Sequence, residues 1–321
     1  MSRGLKKKIS VVAKMEAQTP LSVGGVGGSE TADLELAQNG KGEWYIPGTS
    51  VTGPLRSWLE TRFERGGTIA AALFGYQNRK TGKGQASFLS VGDAPLHVLP
   101  GLGREVRDGI RIDGATGTTK KGFKYNRAVL PAGTTASLRL ELDLPPKPVE
   151  VRRELASEKE TVRLEELEAA LREMLQALTR GEIRFGAAKG RGLGKMQGKD
   201  LQIFVYDFPK DLDLWLKDKP GQELALKCLG SEETLVPQEF LREKIVVAWE
   251  PISPTMVKSG RDGTKADMVP LVSGVGPGGV APVLPGSSLK GIWRGRAEKL
   301  VRTLLLTDAR DPAREAACRE I

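Results

Sequence analysis

The chain has 321 residues, 28% of them charged, and a mean hydropathy of −0.28. Its apolar runs all fall short of the roughly 20 residues that a membrane helix needs, which excludes a spanning segment, and we expect no membrane partner. The N-terminal sequence passes from a basic cluster into a short alternating strand and lacks a secretory signal, so we expect a cytoplasmic protein.

Charge and rare residue types narrow the function further. Lysine and arginine number 49 against 40 aspartates and glutamates, for a net charge of +9. This excess favours a polyanionic partner, because each neutralised phosphate releases counterions, although many basic proteins bind no nucleic acid. The two distant cysteines, Cys228 and Cys318, exclude a disulfide framework and a four-thiolate zinc site. The single histidine, His97, excludes a mechanism with two imidazoles, which leaves carboxylates, hydroxyls, lysines or a hard metal ion.

The N-terminal part of the chain predicts a strand, a loop and a helix. Residues 7–17 alternate apolar and polar side chains, which is typical of a half-buried strand. After a loop rich in glycine and serine, "EWYIPGTSVTGPLRSWLE" (43–60) predicts a strand that runs into a Pro-Gly turn and an amphipathic helix.

The middle of the chain predicts further strands and a second helix. Residues 73–96 contain a Gly/Lys loop and a strand, and residues 109–144 predict a long basic hairpin that returns to a core strand. Ser157 and Glu160 form a capping-box signature ahead of a helix. Its apolar stripe is expected to face the core and comprises Leu164, Leu167, Leu171, Met174, Leu175 and Leu178. A strand follows, and the β-α-β alternation predicts an α+β fold, ferredoxin-like or RRM-like, with inserted loops.

The Pro-Gly turn occurs twice. Pro47 recurs as Pro285 in "PVLPGSSLKGIWRGRAE", and residues 7–25 have a counterpart in residues 243–260. The repetition predicts two homologous units, with the first at 1–208, a linker at 209–242 and the start of a second unit at 243–321. About a third of the repeat is present in the second unit, so either another chain completes it or the sequence is part of a longer protein.

The sequence "FGAAKGRGLGKM" (185–196) is the strongest local signal. Its glycines let backbone amides approach an anion, and Lys189, Arg191 and Lys195 add positive charge. A Walker A loop is excluded because Met196 follows Lys195, and a Rossmann loop is excluded because a strand follows. We therefore predict phosphate contact, with a flexible glycine-rich turn as the alternative.

The two Pro-Gly turns also predict phosphate contact. Thr49 and Ser50 in the first turn, and Ser287 and Ser288 in the second, are expected to cap the following helix and to offer hydroxyls to a phosphate at its positive end. Capping alone would explain one copy. Two copies, each followed by an arginine, favour phosphate binding.

These segments contain five motifs in the same order as in a known family. The motifs are the paired Pro-Gly turns, "LFG", "GQASFLSVGDAPL", "RIDGATGTTKKGFKYNRAVLPAGT" and "GAAKGRGLGKM". The chain thereby resembles the repeat-associated mysterious proteins (RAMPs) of type III CRISPR systems, most closely the Cas7 backbone subunits. Two tandem units resemble the fused Cas7 subunits of the type III-D branch. The type III-E effector also contains such units in series, but with cysteine zinc fingers that this sequence lacks.

The resemblance implies an RRM-like core that lies against guide RNA (crRNA), and a β-hairpin thumb, here residues 109–133, that intrudes at every sixth nucleotide. Without the resemblance, a basic hairpin is more often a solvated arm. The cations and the aromatic residue of the thumb are Arg111, Lys120, Lys121, Phe123, Lys124 and Arg127. The other candidate RNA contacts are Gly48, Thr49, Ser50, Arg56, Gly190, Arg191, Gly192, Lys195, Gly286, Ser287, Ser288, Lys290 and Arg294. The implied partners are crRNA, target RNA, and Cas10, Cas5-like, Cas11-like and further Cas7 subunits.

The resemblance also implies cleavage of target RNA by an aspartate in the loop before each Pro-Gly turn. Asp33 and Asp267 occupy that place, and each would help position Mg²⁺, or another divalent metal, or orient a 2′-hydroxyl for in-line attack. Glu30, Glu35 and Asp262 are the nearby rivals. Without the resemblance, a loop aspartate is more often only solvated.

Two alternatives stay open. The first is that the chain is a structural RNA-binding backbone subunit with inert aspartates. The second is that it is a Cas6-like processing nuclease. Such nucleases usually depend on histidine, and His97 is expected to be packed in the core on an apolar strand.

Overall fold

A computed structural model describes residues 4–25, 32–77, 82, 84–113, 116, 118–152, 159–230, 235–236, 246–248, 250–259, 266–276 and 279–306. The strands are β1 (Lys7–Ala17), β2 (Tyr45–Ile46), β3 (Tyr76–Gln77), β4 (Gly84–Gln85), β5 (Leu89–Val91), β6 (Ala94–His97), β7 (Glu105–Ile112), β8 (Thr119–Val129), β9 (Thr135–Leu144), β10 (Val149–Arg152), β11 (Lys159–Val162), β12 (Met196–Asp207), β13 (Gln222–Glu223), β14 (Val272–Gly276) and β15 (Gly279–Pro282). The α-helices are α1 (Gly48–Arg62), α2 (Gly66–Phe74), α3 (Leu164–Thr179), α4 (Leu212–Leu216) and α5 (Gly286–Leu306).

A seven-stranded antiparallel sheet forms the centre of the described fold. Its order is β13-β12-β1-β9-β6-β2, and β5 also pairs with β9. Along the chain, β1, α1, β5 with β6, β9, α3 and β12 follow the β-α-β-β-α-β sequence. This succession is that of a ferredoxin-like α+β fold, so the predicted fold class is confirmed.

The central strand β1 is flanked by β9 and β12, and its alternating sequence determines which face is buried. Ile9, Val11, Ala13 and Met15 are at most 2% exposed. Since side chains alternate across a strand, these four line one face of the sheet. Their cross-strand neighbours include Leu140, Leu142, Ile203 and Val205.

Helices α1, α2 and α3 pack against one another; α1 and α3 also pack against β5 and β12 of this sheet, and α2 packs against β10 and β11. The predicted apolar stripe of α3 does face the core, because Leu167, Leu171, Met174 and Leu175 are fully buried. The predicted start of this helix is wrong. Glu160 lies in β11, where its carboxylate accepts a hydrogen bond from the Thr68 hydroxyl at 2.8 Å.

Helix α3 begins at Leu164, where the Glu166 carboxylate accepts the backbone N–H of Arg163 at 2.8 Å. The strand pairing of β10 with β11 continues to Val162 and leaves no room for an earlier start. Ser157, the other half of the predicted capping box, lies outside the described residues.

The predicted basic hairpin is formed by β7 and β8, which pair in antiparallel register from Glu105 opposite Val129 to Ile112 opposite Thr119. Much of it projects from the sheet, as Ile110 and Phe123 are 54% and 44% exposed. We call it the β7–β8 hairpin.

His97 is exposed, contrary to the expectation that it packs in the core. It lies at the end of β6, where Ala94 and Leu96 point inward. The two-residue period of a strand therefore directs His97 to the opposite face.

The segment 209–242, predicted as a linker, adds α4 and β13 to the first unit, and β13 extends the main sheet beyond β12. Leu229 in the same segment is fully buried. Beyond it, Val246 and Val247, predicted on the first strand of the second unit, are exposed and belong to no strand. Residues 243–321, predicted to begin a second unit, contribute the β14–β15 hairpin and α5. Among the described helices, none is both long and apolar enough to span a bilayer.

Candidate nucleic-acid interface

An open cleft lies where three segments meet: the β7–β8 hairpin, the glycine loop (residues 185–196) and the second Pro-Gly turn (residues 284–288). Its side chains include Arg107, Tyr125, Arg127, Arg191 and Ser287. Three guanidiniums and one aromatic ring thus line a single surface. Asp108 is the acidic residue of the same lining.

The glycine loop packs tightly on the sheet side and is open on the cleft side. A Cβ at Gly186 or Gly194 would lie 2.2 Å from the Ser22 carbonyl oxygen or 1.9 Å from that of Phe185. Only glycine fits there, so these two positions hold the loop against the fold. Residues 189–192 form a short 3-10 turn and its end, and all four are exposed. The predicted contacts Gly190, Arg191 and Gly192 therefore face solvent at the cleft.

The second turn lies directly on this loop. A Cβ at Gly286 would lie 2.4 Å from the carbonyl oxygen of Arg191, and one at Gly190 would lie 3.6 Å from Lys290 Nζ. The Pro285 carbonyl accepts the N–H groups of Ser288 and Leu289 at 2.9 and 3.3 Å, which starts α5. Contacts predicted in two separate units of the sequence are thus brought together in one place.

A carboxylate at the base of the β7–β8 hairpin bonds to β14, which precedes the second turn. Glu105 accepts hydrogen bonds from the Ser273 hydroxyl at 2.8 Å and from the Gly274 backbone N–H at 2.9 Å. Arg107 donates to the Ser273 hydroxyl oxygen at 2.9 Å and pairs with Glu105 at 3.3 Å. Ser273 is 3% exposed, so this group of four residues, the Glu105 clasp, is largely shielded from water.

The first Pro-Gly turn has the same backbone geometry but a different environment. The Pro47 carbonyl accepts the N–H groups of Ser50 and Val51 at 2.8 and 3.2 Å. The Gly48 N–H donates to the Asp93 carboxylate at 2.7 Å, and a Cβ on Gly48 would lie 2.3 Å from the carbonyl oxygen of Val91. An acidic side chain of the protein therefore already occupies the positive end of α1.

The predicted capping by Thr49 and Ser50 is wrong, because α1 begins at Gly48 with Pro47 as its N-cap and has no side-chain cap. Both hydroxyl residues lie inside the first turn of the helix. Arg56, predicted to contact phosphate, donates instead to the Glu60 carboxylate at 2.8 Å and to the carbonyl of Gly75 at 3.1 Å.

The predicted thumb residues occupy the exposed part of the β7–β8 hairpin. The guanidinium of Arg111 lies 5.2 Å and the ammonium of Lys120 lies 5.6 Å from the centre of the Phe123 ring. Lys121 is also exposed. Two cations thus hold an aromatic ring on a surface that is open to solvent.

Two other predicted contacts lie apart from the cleft lining. Lys195 packs its Cε beside Gly181, 3.3 Å from the position of a Cβ there. Arg294 pairs with Glu298 at 2.6 Å and is 70% exposed. The same pair, four residues apart, links Arg56 and Glu60 in α1.

Asp33 and Asp267 occupy equivalent places in two matching loops. In the first, Gly25 N–H donates to the Glu35 carbonyl and Ala37 N–H to the Val23 carbonyl, both at 2.9 Å. In the second, the corresponding bonds run from Ser259 to Val269 at 2.9 Å and from Leu271 to Val257 at 2.7 Å. Each aspartate lies two residues before the carbonyl that closes its loop. Both are exposed, and the rivals Glu30 and Asp262 lie outside the described residues.

The carboxylate of Asp33 is only half engaged. Its Oδ2 accepts the backbone N–H of Asn126 at 2.8 Å, and no partner of Oδ1 is seen among the described residues. Glu35, the remaining rival, pairs with the guanidinium of Arg104 and is half-buried. Asp33 is therefore the acidic side chain of this loop with an oxygen directed to solvent.

In the part of the chain that the structure describes, no three histidine, cysteine, aspartate or glutamate side chains lie close enough together to hold a metal ion. Asp33 supplies one carboxylate oxygen, which fits Mg²⁺ only if water and substrate phosphates provide the other ligands.

Four residues at the site were missed by the sequence reasoning. Arg107 and Tyr125 line the cleft, Glu105 bonds to β14, and Asn126 contacts Asp33. A signal was present: Tyr125 and Arg127 alternate along the basic strand, as do Glu105 and Arg107 along its partner, and side chains at alternate positions share a face.

Comparison with known proteins places the chain in a family. The model of the RAMP superfamily matches residues 14–197, which is more than half of the chain and includes Asp33, the β7–β8 hairpin and the whole glycine loop. No curated protein matches. The chain belongs to the RAMP superfamily.

Proposed function

We propose that this chain is a Cas7-type backbone subunit of a type III CRISPR effector, which binds crRNA in the cleft and cuts complementary target RNA at Asp33 and Asp267. Membership of the RAMP superfamily indicates an RNA-binding role in a CRISPR–Cas complex. The observation that carries the proposal further is the cleft itself, where a glycine loop, two strands and a second turn converge with three arginines.

The chemistry of the cleft suits a sugar-phosphate backbone. Guanidiniums bind phosphate oxygens through paired hydrogen bonds, and the exposed backbone amide of Gly190 adds a donor that carries no sequence preference, whereas the Gly192 N–H donates to the Lys189 carbonyl at 3.2 Å. The Tyr125 ring packs on Gly109, and the guanidinium of Arg127 lies 6.0 Å from its centre, so the ring forms part of the cleft wall. Such contacts fix the path of a guide and leave its base edges free to pair with a target.

Cleavage requires a group that acts on the 2′-hydroxyl of the target. In the proposed step, Asp33 Oδ1 orients this hydroxyl and takes its proton, and the 2′-oxygen attacks the adjacent phosphorus. The bond to the 5′-oxygen of the next nucleotide breaks, and this oxygen takes a proton from water, which leaves a cyclic phosphate and a 5′-hydroxyl end; Asp33 then releases its proton to solvent. Asp267 acts in the same way at the second unit, because its loop has the same hydrogen bonds.

Mg²⁺, or another divalent metal, is the proposed cofactor, and Asp33 and Asp267 would each help position it through a bound water, which leaves Asp33 Oδ1 available for the 2′-hydroxyl proton. When bound beside the scissile phosphate, the metal neutralises charge that builds up on the oxygens.

A non-catalytic structural subunit is the second candidate. The observation in its favour is that no cluster of three potential metal ligands occurs among the described residues. In this case the complex binds the target through this chain and the cutting is done by neighbours.

We further propose that residues 1–208 and 243–321 belong to two fused Cas7 units of the type III-D kind, joined by residues 209–242. The equal loops around Asp33 and Asp267 and the equal Pro-Gly turns support two units. The expected partners are target RNA, Cas10, Cas5-like and Cas11-like subunits, and further Cas7 units.

The deciding experiment uses the ribonucleoprotein assembled with a defined guide, a matched end-labelled target RNA and Mg²⁺. Asp33→Ala and Asp267→Ala should each remove one fragment while target binding persists. Asp93→Ala is the matched control, since Asp93 binds the N–H of Gly48 in α1 and should keep the fragment pattern. Unchanged fragments in both aspartate variants would support the structural candidate instead.

A further inference from the structure

We infer that Asn126 is a positioning residue for Asp33, and that strand β8 thereby couples the guide-binding cleft to the cleavage loop. This inference rests on the proposed function, because it assigns a role to Asn126 only if Asp33 acts on the target. It concerns a residue of the β7–β8 hairpin that lies 93 positions from Asp33 in sequence.

Asn126 and Asp33 hold each other through two reciprocal hydrogen bonds. The side-chain oxygen Oδ1 of Asn126 accepts the backbone N–H of Asp33 at 2.7 Å, and the backbone N–H of Asn126 donates to Asp33 Oδ2 at 2.8 Å. The first bond fixes the main chain of Asp33 and the second fixes its carboxylate. Together they determine where the second carboxylate oxygen points.

The backbone around this pair is tied to the same strand. Leu34 N–H donates to the Asn126 carbonyl at 3.2 Å, and Ala128 N–H donates to the Leu34 carbonyl at 2.9 Å. Leu34 forms a bridge with Arg127 in β8. The loop that carries Asp33 therefore runs along the strand that also lines the cleft.

Strand β8 presents two different faces. Tyr125 and Arg127 line the cleft, and Asn126 between them contacts Asp33. Since successive side chains of a strand point to opposite faces, a shift of β8 on RNA binding would move both faces together. Asp33 is thus positioned relative to the guide and not only relative to its own loop.

The second unit offers an internal comparison. Asp267 has the same loop hydrogen bonds, but no counterpart of Asn126 contacts it among the described residues. A change at Asn126 should therefore affect the cut that depends on Asp33 and spare a cut that depends on Asp267.

The test measures single-turnover cleavage by the assembled ribonucleoprotein, with a matched synthetic target RNA and saturating Mg²⁺. Asn126→Ala removes the acceptor for Asp33 N–H but keeps the backbone donor. We expect the Asp33-dependent cut to slow about tenfold, the order expected for one lost hydrogen bond, with the dissociation constant for the target unchanged. Asn126→Ser keeps an uncharged side-chain oxygen as an acceptor for the Asp33 N–H and should recover part of the rate.

Asn39→Ala is the matched control. The side-chain oxygen of Asn39 accepts the N–H groups of Lys41 and Glu43 at 2.9 and 3.0 Å in an exposed turn. Asn39→Ala therefore also removes an asparagine acceptor of backbone N–H groups, but these bonds do not involve Asp33. It should cut at the wild-type rate.

A wild-type rate in Asn126→Ala, equal slowing in Asn126→Ala and Asn126→Ser, or a loss explained by weaker target binding would each overturn the inference. If Asn126→Ala does not fold, hydrogen exchange at the Asp33 amide of the unaltered chain decides, since exchange at the rate of an unstructured peptide would also overturn it. Failure of the proposed function is distinct: then Asp33→Ala itself leaves every fragment in place.

Discussion

Removal of the Glu105 carboxylate should release the second turn from the glycine loop. In Glu105→Ala the Ser273 hydroxyl and the Gly274 N–H lose their acceptor, whereas the bond from Arg107 to Ser273 remains. A hydrogen bond to a charged group contributes about 1.5–3 kcal/mol, and the side chain of Glu105 is 20% exposed. The free energy that docks residues 272–290 should fall by about 2 kcal/mol, or about 30-fold in the ratio of docked to undocked forms.

Hydrogen–deuterium exchange read by mass spectrometry measures this directly. We expect faster exchange in peptides that cover residues 273–290, with unchanged exchange in β1 and β9. Affinity for guide RNA should fall as well, because the second turn leaves the cleft. Glu16→Ala is the matched control, since it removes the same charge from a surface pair with Lys199. Unchanged exchange at Gly274 in Glu105→Ala would refute the role given to the clasp.

Three further predictions address packing, charge and pH. In Gly286→Ala the new Cβ would lie 2.4 Å from the Arg191 carbonyl oxygen. The free energy that docks the second turn on the glycine loop should fall by about 1–3 kcal/mol, and guide binding should weaken in filter assays. Gly291→Ala is the control, because its Cβ meets no atom within 4 Å, and it should bind the guide as wild type does. Arg191→Gln should reduce the slope of log affinity against log salt by about 0.7 for single-stranded RNA, and the control Arg180→Gln should leave the slope unchanged. Burial by itself lowers the pKa of Lys8, but hydrogen bonds and charge from Asp143 and Glu141 outweigh it and raise the pKa above 10.5. The stabilisation of the fold by charged Lys8 is therefore complete below pH 10.5 and is lost as the pH rises through the raised pKa. In thermal melts, Lys8→Met should remove this loss of stability at alkaline pH. An identical loss in the variant would contradict the prediction.

Local sequence patterns were sufficient for single elements. The alternation in β1 predicted a half-buried strand, and its apolar positions are buried. The places of Asp33 and Asp267 came from the family resemblance, and their loops prove to have matching hydrogen bonds. An alternating strand is visible in a short stretch of sequence, whereas the pairing of β1 with β9 and β12 is not.

Features that depend on distant partners were not predictable in this way. Glu160 matched a helix-capping pattern but pairs in β11 because Thr68 and Arg65, about 90 positions away, bind its carboxylate. Asp93 lies 45 positions from Gly48, whose N–H it binds, so the sequence did not show that the end of α1 is already occupied. The contact of Gly286 with the Arg191 carbonyl also joins residues that are far apart in the chain. It brings the second Pro-Gly turn and the glycine loop, predicted as separate phosphate contacts, into one site.

The most direct test is a map of amide exchange on the unaltered chain with and without guide RNA at physiological salt. We predict protection on RNA binding in residues 105–111, 123–127, 186–194 and 285–290, which are the segments that form and flank the cleft. Protection confined to other surfaces, with these four segments unchanged, would contradict the proposal that this cleft binds the RNA backbone.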